Sequence, residues 1–281
     1  MKSVTVGLFS LVALTIENSS QALPKLGLTH IIGGVEADKG EFPWIIGIRR
    51  GKVTVCGGSL INKNWVLTAA HCMSTVKEAY FLVAGDHNTA IFEENEQIRL
   101  IESVYNHRFY NHDTFQNDIS LIKVSQAFQL NDFVKPVELP PAYFIPTEKM
   151  TIAGWGYTTP GGNRSEVLLK AVVPFVNDSI CAQDYSGEFF PSMICAGENG
   201  KDALYDSGGP LMCYLGDHAY LCGITSWGDG CGELDKPGVY TEVSYFLDWI
   251  GNTTSSSGTN SDNQFVKVAA STVLLLVFYV L

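Results

Sequence analysis

From Ile31 to about Asn252 the chain runs as short apolar segments separated by Gly, Pro and Asn, and few folds accept that rhythm. Trp44–Ile48, Trp65–Ala70, Ile119–Val124, Met150–Trp155 and Ala219–Trp227 have the length and boundaries of strands. Long helical patterns are scarce and glycine is frequent, at 27 residues, which favours a turn-rich β protein. Helical spacing at Val243–Ile250 reads as a terminal helix, and the Pro-rich stretch Pro136–Pro146 as a crossing between two halves. The 281 residues suffice for one or two domains with a real core, and neither internal repeats nor heptads are present.

The ends read differently from the middle. Lys2, the apolar run Val4–Ile16 and the small residues of Ser20-Gln21-Ala22 predict a signal peptide over residues 1–22. A short segment, Leu23–His30, separates it from the main domain at 31–252. Residues 253–281 form a polar spacer and a hydrophobic tail. The apolar end, Val268–Leu281, has 14 residues, fewer than the roughly 20 a spanning helix needs. Small residues around Ser255–Gly258 followed by a polar spacer match a glycolipid-anchor signal, with a short true anchor or a plain tail as alternatives. Seven cysteines at irregular spacings, with no CxxC pair, fit disulfides in an oxidising compartment better than zinc. Sequons at Asn163, Asn177 and Asn252 agree with that route. A formal net charge of −11 repels phosphate backbones and argues against nucleic acid as a partner.

Asp206-Ser207-Gly208-Gly209-Pro210 sets a hydroxyl among residues that leave its backbone approachable. A free serine is a poor nucleophile and needs a base, which a neutral histidine supplies. The histidine in turn needs a buried carboxylate to hold its tautomer and stabilise its cation. His71, at the end of an apolar strand in Thr68-Ala69-Ala70-His71-Cys72, and Asp118, at the start of the apolar run Asp118-Ile119-Ser120-Leu121, are the candidates.

These segments, in the order His71, Asp118, Ser207, resemble the trypsin/chymotrypsin serine protease family. So do Ile31-Ile32-Gly33-Gly34, Cys56-Gly57-Gly58-Ser59-Leu60, Gly154-Trp155-Gly156, Ser226-Trp227-Gly228 and Lys236-Pro237-Gly238-Val239-Tyr240. The resemblance spans Ile31 to about Ile250. It implies an all-β fold of two antiparallel six-stranded β-barrels with a short C-terminal helix and the triad in the cleft between them. It also implies acyl-enzyme chemistry on protein or peptide substrates, an activating protease, protein inhibitors and no required cofactor. A secreted monomer, tethered to the outer cell surface, is the expected state.

By the same resemblance Asp202 forms the floor of the primary pocket, with Ser226, Trp227, Gly228 and Gly238 around it. A confined carboxylate pairs best with Arg or Lys, so cleavage after those residues is expected. Ile31 resembles the new N-terminus made by zymogen cleavage, whose ammonium pairs with Asp206. His30 precedes it where a basic residue is usual. The oxyanion hole falls to the backbone N–H groups of Tyr205 and Ser207, in a loop one residue shorter than usual, with Tyr205 where glycine is common. A catalytically weak or inactive homologue serving as a binding or regulatory module is the alternative.

The resemblance pairs Cys56 with Cys72 and Cys181 with Cys195. Cys213 lacks its usual partner, Met150 standing in its place. A hairpin centred on Asp217-His218 sets Cys213 opposite Cys222, within disulfide range, and leaves Cys231 free. Asp86, Asn88, Ile91, Glu93 and Glu96 fall at the spacing of the family's calcium loop, so a structural calcium is expected there.

Overall fold

Residues 34–73, 77–144, 146, 149–157, 162–197, 206–228 and 236–256 are described by the structure, a computed structural model. Among them are thirteen strands. The first seven are β1 (Val35–Glu36), β2 (Ile45–Arg50), β3 (Val53–Asn62), β4 (Trp65–Thr68), β5 (Phe81–Ala84), β6 (Gln97–Asn106) and β7 (Ser120–Val124). The rest are β8 (Lys149–Gly154), β9 (Leu169–Val176), β10 (Met193–Ala196), β11 (Pro210–Leu215), β12 (His218–Trp227) and β13 (Gly238–Glu242). Strands β2-β3-β4-β7-β6-β5 close into one barrel. A second ring runs β9-β10-β13-β12-β11-β8 and closes through the pairing of β8 with β9, while β1 adds to the edge at β9. Both six-stranded barrels are antiparallel throughout, as expected.

Buried apolar residues gather about each barrel on both faces of its strands. Ile46, Ile48, Leu60, Val66, Leu67, Leu82, Leu121 and Ile122 belong to the cluster of the first, and Met150, Ile152, Val173, Ile194, Leu211 and Tyr240 to that of the second. Successive residues of β11 and β12 then divide between the two cores. Leu211, Cys213 and Cys222 face the second core, whereas Met212, Leu221 and Ile224 pack with the first. A strand buried on both faces reads as a continuous apolar run, which is why Ala219–Trp227 shows no alternation. The connection after β7 touches both barrels: Val137 N–H donates to Leu60 O (2.9 Å) and Leu221 N–H to Glu138 O (2.9 Å). The expected crossing is therefore present over the described part of Pro136–Pro146.

Two helices complete the fold. The first, α1 (Asp178–Asp184), starts at Asn177, whose side-chain oxygen accepts from Ser179 N–H. At the C-terminus a 3-10 turn, Val243–Phe246, leads into α2 (Leu247–Ser256), with Phe246 and Ile250 sealed onto the first core. This helix runs four residues past the expected domain end at Asn252 and takes in the start of the small-residue stretch. Hydroxyl back-bonds extend it: Thr254 Oγ1 donates to Ile250 O (2.8 Å) and Ser256 Oγ to Asn252 O (2.7 Å).

The three expected disulfides, Cys56–Cys72, Cys181–Cys195 and Cys213–Cys222, are all present. The hairpin register behind the last differs from expectation. The turn is Gly216-Asp217, between paired Leu215 and His218, so Tyr220 and not Cys222 lies opposite Cys213. A register shift near Leu211 and Met212 leaves Cys222 as the extra residue and brings it within 5.9 Å of Cys213, Cα to Cα. Cys231 lies outside the described residues. Replacing Cys213 and Cys222 together by alanine should cost about 3 kcal/mol in denaturant unfolding, the closure entropy of so short a loop. An unchanged midpoint and slope would show that the bridge contributes nothing to stability.

Candidate active site

The fully buried strand β4 delivers the chain into a 3-10 turn, Ala70–Met73, that carries His71, and the Cys56–Cys72 bridge ties this turn to β3. Opposite it, the loop before β7 passes through two left-handed residues, Phe115 (φ 52°) and Asn117 (φ 58°). Asparagine tolerates that region, whereas phenylalanine is uncommon there. The kink presents Asp118, which has no solvent exposure. His71 Nδ1 lies 2.7 Å from Asp118 Oδ2, and His71 N–H donates to Oδ1 at 2.9 Å. Ser226 Oγ on β12 donates to Oδ2 (2.6 Å), and Thr241 Oγ1 on β13 donates to the Asp118 carbonyl (2.8 Å). The carboxylate thus fixes Nδ1 as the protonated nitrogen and leaves Nε2 for proton exchange.

Ser207 sits in the turn before β11, held against the first barrel. Gly57 N–H donates to Ser207 O (2.9 Å), Gly208 N–H to Thr225 O (2.8 Å) and Gly209 N–H to Asp206 O (2.7 Å). Here the glycines are a steric requirement. A Cβ on Gly57 would lie 2.8 Å from the Gly209 Cα, and Gly208 has φ 80° with the Thr68 hydroxyl where its side chain would go. The Cys72 sulfur lies 3.8 Å from His71 Nε2 and 3.5 Å from Ser207 O, so the free edge of the imidazole and the serine share one neighbour. Among the described residues Cys56, His71 and Cys72 also bring metal-ligand atoms together, but both sulfurs are tied up in the disulfide.

Behind this turn Asp206 is buried against Gly154 and Gly156, where any side chain would strike its carboxylate. Burial pushes its carboxyl up to about 6, against the pull of the Gly156 and Trp155 N–H groups and the nearby Arg164 cation. Of the expected pocket residues, Ser226 and Gly238 are buried and Trp227 and Gly228 half-buried. Asp202, Tyr205 and Ile31 lie outside the described residues. Tyr185, for which no role was expected, ties together two of the expected pocket segments. Its ring meets Trp227 edge-on at 4.8 Å, and its hydroxyl donates to Pro237 O. Phe115 was also missed; its ring stands edge-on to His71 at 5.8 Å.

The candidate calcium residues Asp86, Asn88, Ile91, Glu93 and Glu96 lie together in the loop between β5 and β6. Ile91 is exposed, while Asp86 and Glu93 are buried beside cations of the protein itself, Arg49 and Lys39. Burial pushes the Asp86 carboxyl up to about 6, with Arg49 opposing.

Two antiparallel barrels with an imidazole on a buried carboxylate at their junction, close to a serine that two glycines follow, define the class of serine hydrolases built on paired barrels. The family model for trypsin matches residues 31–250. Trypsin-1 of Astacus astacus is 40% identical over 232 residues, covering 78% of this chain and 98% of that protein. Cationic trypsin-3 of Rattus norvegicus is 38% identical over 231 residues, 81% of this chain and 90% of its own, and serine protease 1 of Homo sapiens 36% over 251 residues, 88% and 98%. The chain belongs to the trypsin family and is a trypsin-like serine endopeptidase.

The raised Asp206 carboxyl has a definite sign. A carboxyl whose folded value lies above its ordinary 3.8 favours the fold while protonated and loses that contribution as pH rises through about 6. In the full-length chain, Asp206→Asn should match wild-type stability near pH 4. It should then gain on wild type by up to about 3 kcal/mol by pH 7, read by guanidinium unfolding. A difference that does not change with pH would count against a buried, strained carboxyl.

Proposed function

We propose that this protein cleaves peptide bonds on the carboxyl side of Arg and Lys, with His71, Asp118 and Ser207 as its catalytic residues. The observation that carries the reading is the fully buried Asp118, bonded to both the ring and the backbone of His71 and backed by Ser226, beside the Ser207 turn. Ser207 Oγ attacks the scissile carbonyl carbon while His71 Nε2 takes its proton. The same nitrogen returns the proton to the departing amine, leaving an acyl-enzyme. Water, deprotonated by His71, then attacks the ester and releases the acid and the serine. The backbone N–H groups of Tyr205 and Ser207 receive the oxyanion.

The Arg/Lys preference rests on Asp202 as the pocket floor, with Gly228 and Gly238 too small to obstruct a long cationic side chain. Activation is by cleavage before Ile31. The freed ammonium adds positive charge beside the buried Asp206, and its arrival offsets the cost of ionising that carboxyl. Because His30 precedes the scissile bond, a protease with a different preference makes that cut. The signal peptide and hydrophobic tail support secretion and a glycolipid anchor at the outer surface, where protein substrates and protein inhibitors are met by a monomer. Among the described residues no helix is long and apolar enough to cross a membrane.

The test is hydrolysis of Arg, Lys, Phe and Ala peptide amides by protein with a free Ile31 amine. Arg and Lys amides should turn over, and Ser207→Ala should lower kcat by about 10⁶-fold. Turnover of Phe or Ala amides alone would overturn the pocket assignment. Absence of turnover above the Ser207→Ala background, in folded protein, would overturn the enzyme mechanism and point to a binding role.

A further inference from the structure

The 86–96 loop joins three parts of the molecule. It connects β5 to β6, and it reaches the N-terminal strand through His87 Nε2 and Glu36 Oε1 (2.9 Å). It meets the second barrel through Leu168 N–H to His87 O (2.8 Å), Thr89 N–H to Glu166 O (2.7 Å) and Trp155 Nε1–H to His87 O (3.1 Å). Whatever closes this loop therefore sets the contact between the barrels on that side.

The carboxylates of Asp86, Glu93 and Glu96 already have partners in the protein. Glu93 Oε1 takes the Lys39 ammonium at 2.8 Å, and Oε2 accepts from the N–H groups of His87 (2.6 Å) and Asn88 (3.1 Å). Glu96 Oε1 accepts from Glu93 N–H (2.7 Å), Asn88 Oδ1 from Ala90 N–H (3.0 Å), and the Asn88 carbonyl from Ile91 N–H (3.2 Å). Asp86 Oδ2 is paired with the Arg49 guanidinium, and both side chains are largely out of solvent. Among the described residues, Asp86 Oδ1 is the buried side-chain oxygen of this loop without a hydrogen-bond partner. One such oxygen is far from the six to eight that calcium takes. Two monovalent cations deliver the same charge as one divalent ion, and calcium could reach the Asp86 and Glu93 carboxylates only by breaking the ion pairs they make with Arg49 and Lys39. The donor set does not fit the metal.

We propose that Lys39 and Arg49 close the 86–96 loop in place of a divalent cation, so that this protease keeps its fold without calcium. The charges arrive from the segment after β1 and from the end of β2, which fixes the loop to both. Long-range ties of this kind, partly buried and hydrogen-bonded, hold where exposed ion pairs contribute little.

Thermal unfolding of the full chain, carrying Ser207→Ala to prevent self-digestion, tests this in excess EDTA and in millimolar calcium. The midpoint should be the same in both. A rise of about 5 °C or more in calcium, the shift expected of a site occupied at about a hundredfold over its Kd, would overturn the proposal. Lys39→Gln is a mild change at a half-exposed residue and should lower the midpoint in EDTA, as should Arg49→Gln to a greater extent. Variants that melt in EDTA where the parent does would equally overturn it. Calorimetric titration of calcium into the parent gives a reading that does not depend on how the variants fold: no binding heat supports the proposal, and saturable uptake of one ion per chain refutes it.

Discussion

Asp118 is a carboxylate with no access to water, and such a group is tolerated only when donors surround it. The donors come from both halves of the molecule. The first barrel gives the ring and backbone nitrogens of His71, while the second gives Ser226, with Thr241 on the adjacent carbonyl. The charge is satisfied only when the barrels are docked, and docking requires that β3 approach the Ser207 turn through three glycines. The geometry that positions the imidazole and the geometry that packs the barrels are one arrangement. Removing a donor from Asp118 therefore weakens the interface as well as the site.

The second buried carboxylate makes an instructive contrast. Asp206 lies behind the same turn, yet backbone N–H groups are its main stabilisers, and its carboxyl is held well above the ordinary range. One acid is fully furnished with partners in the chain as it stands. The other leans on backbone N–H groups and the Arg164 cation, in a cavity whose glycine walls fit nothing larger than its own oxygens. The first is settled by its hydrogen bonds, whereas the second stays costly to ionise.

Much of this was legible in the residues. The short apolar runs marked strands correctly to within a residue or two, and the ordered His, Asp and Ser segments are ones that the structure brings together where the barrels join. What escaped was set by tertiary context. Nothing local separates Tyr185 or Thr241 from any other polar or aromatic side chain until the chain brings them to Pro237, Trp227 and Asp118. The Cys213–Cys222 pair was found, but a hairpin without a bulge placed it one turn position away from the true register. The end of α2 was misjudged because Asn252, Thr253, Thr254 and Ser256 are poor helix formers. Packing of Phe246 and Ile250 and hydroxyl bonds to the preceding turn outweigh that weakness. The acid spacing from Asp86 to Glu96 is visible in the sequence, whereas Lys39 and Arg49, distant in the chain, are not visible as its partners.

Strands β11 and β12 present alternate residues to two different cores. Met212 packs in the cluster that holds the first barrel's core, and its neighbours Leu211 and Cys213 in the core of the second. Neither barrel is then a module in the evolutionary sense. A substitution at Met212 or Leu221 perturbs a cluster shared by the first barrel, the second barrel's strands and the C-terminal residues Val243, Phe246 and Ile250. The two halves are bound to drift as a pair, leaving the surface loops as the part of the molecule free to diversify on their own.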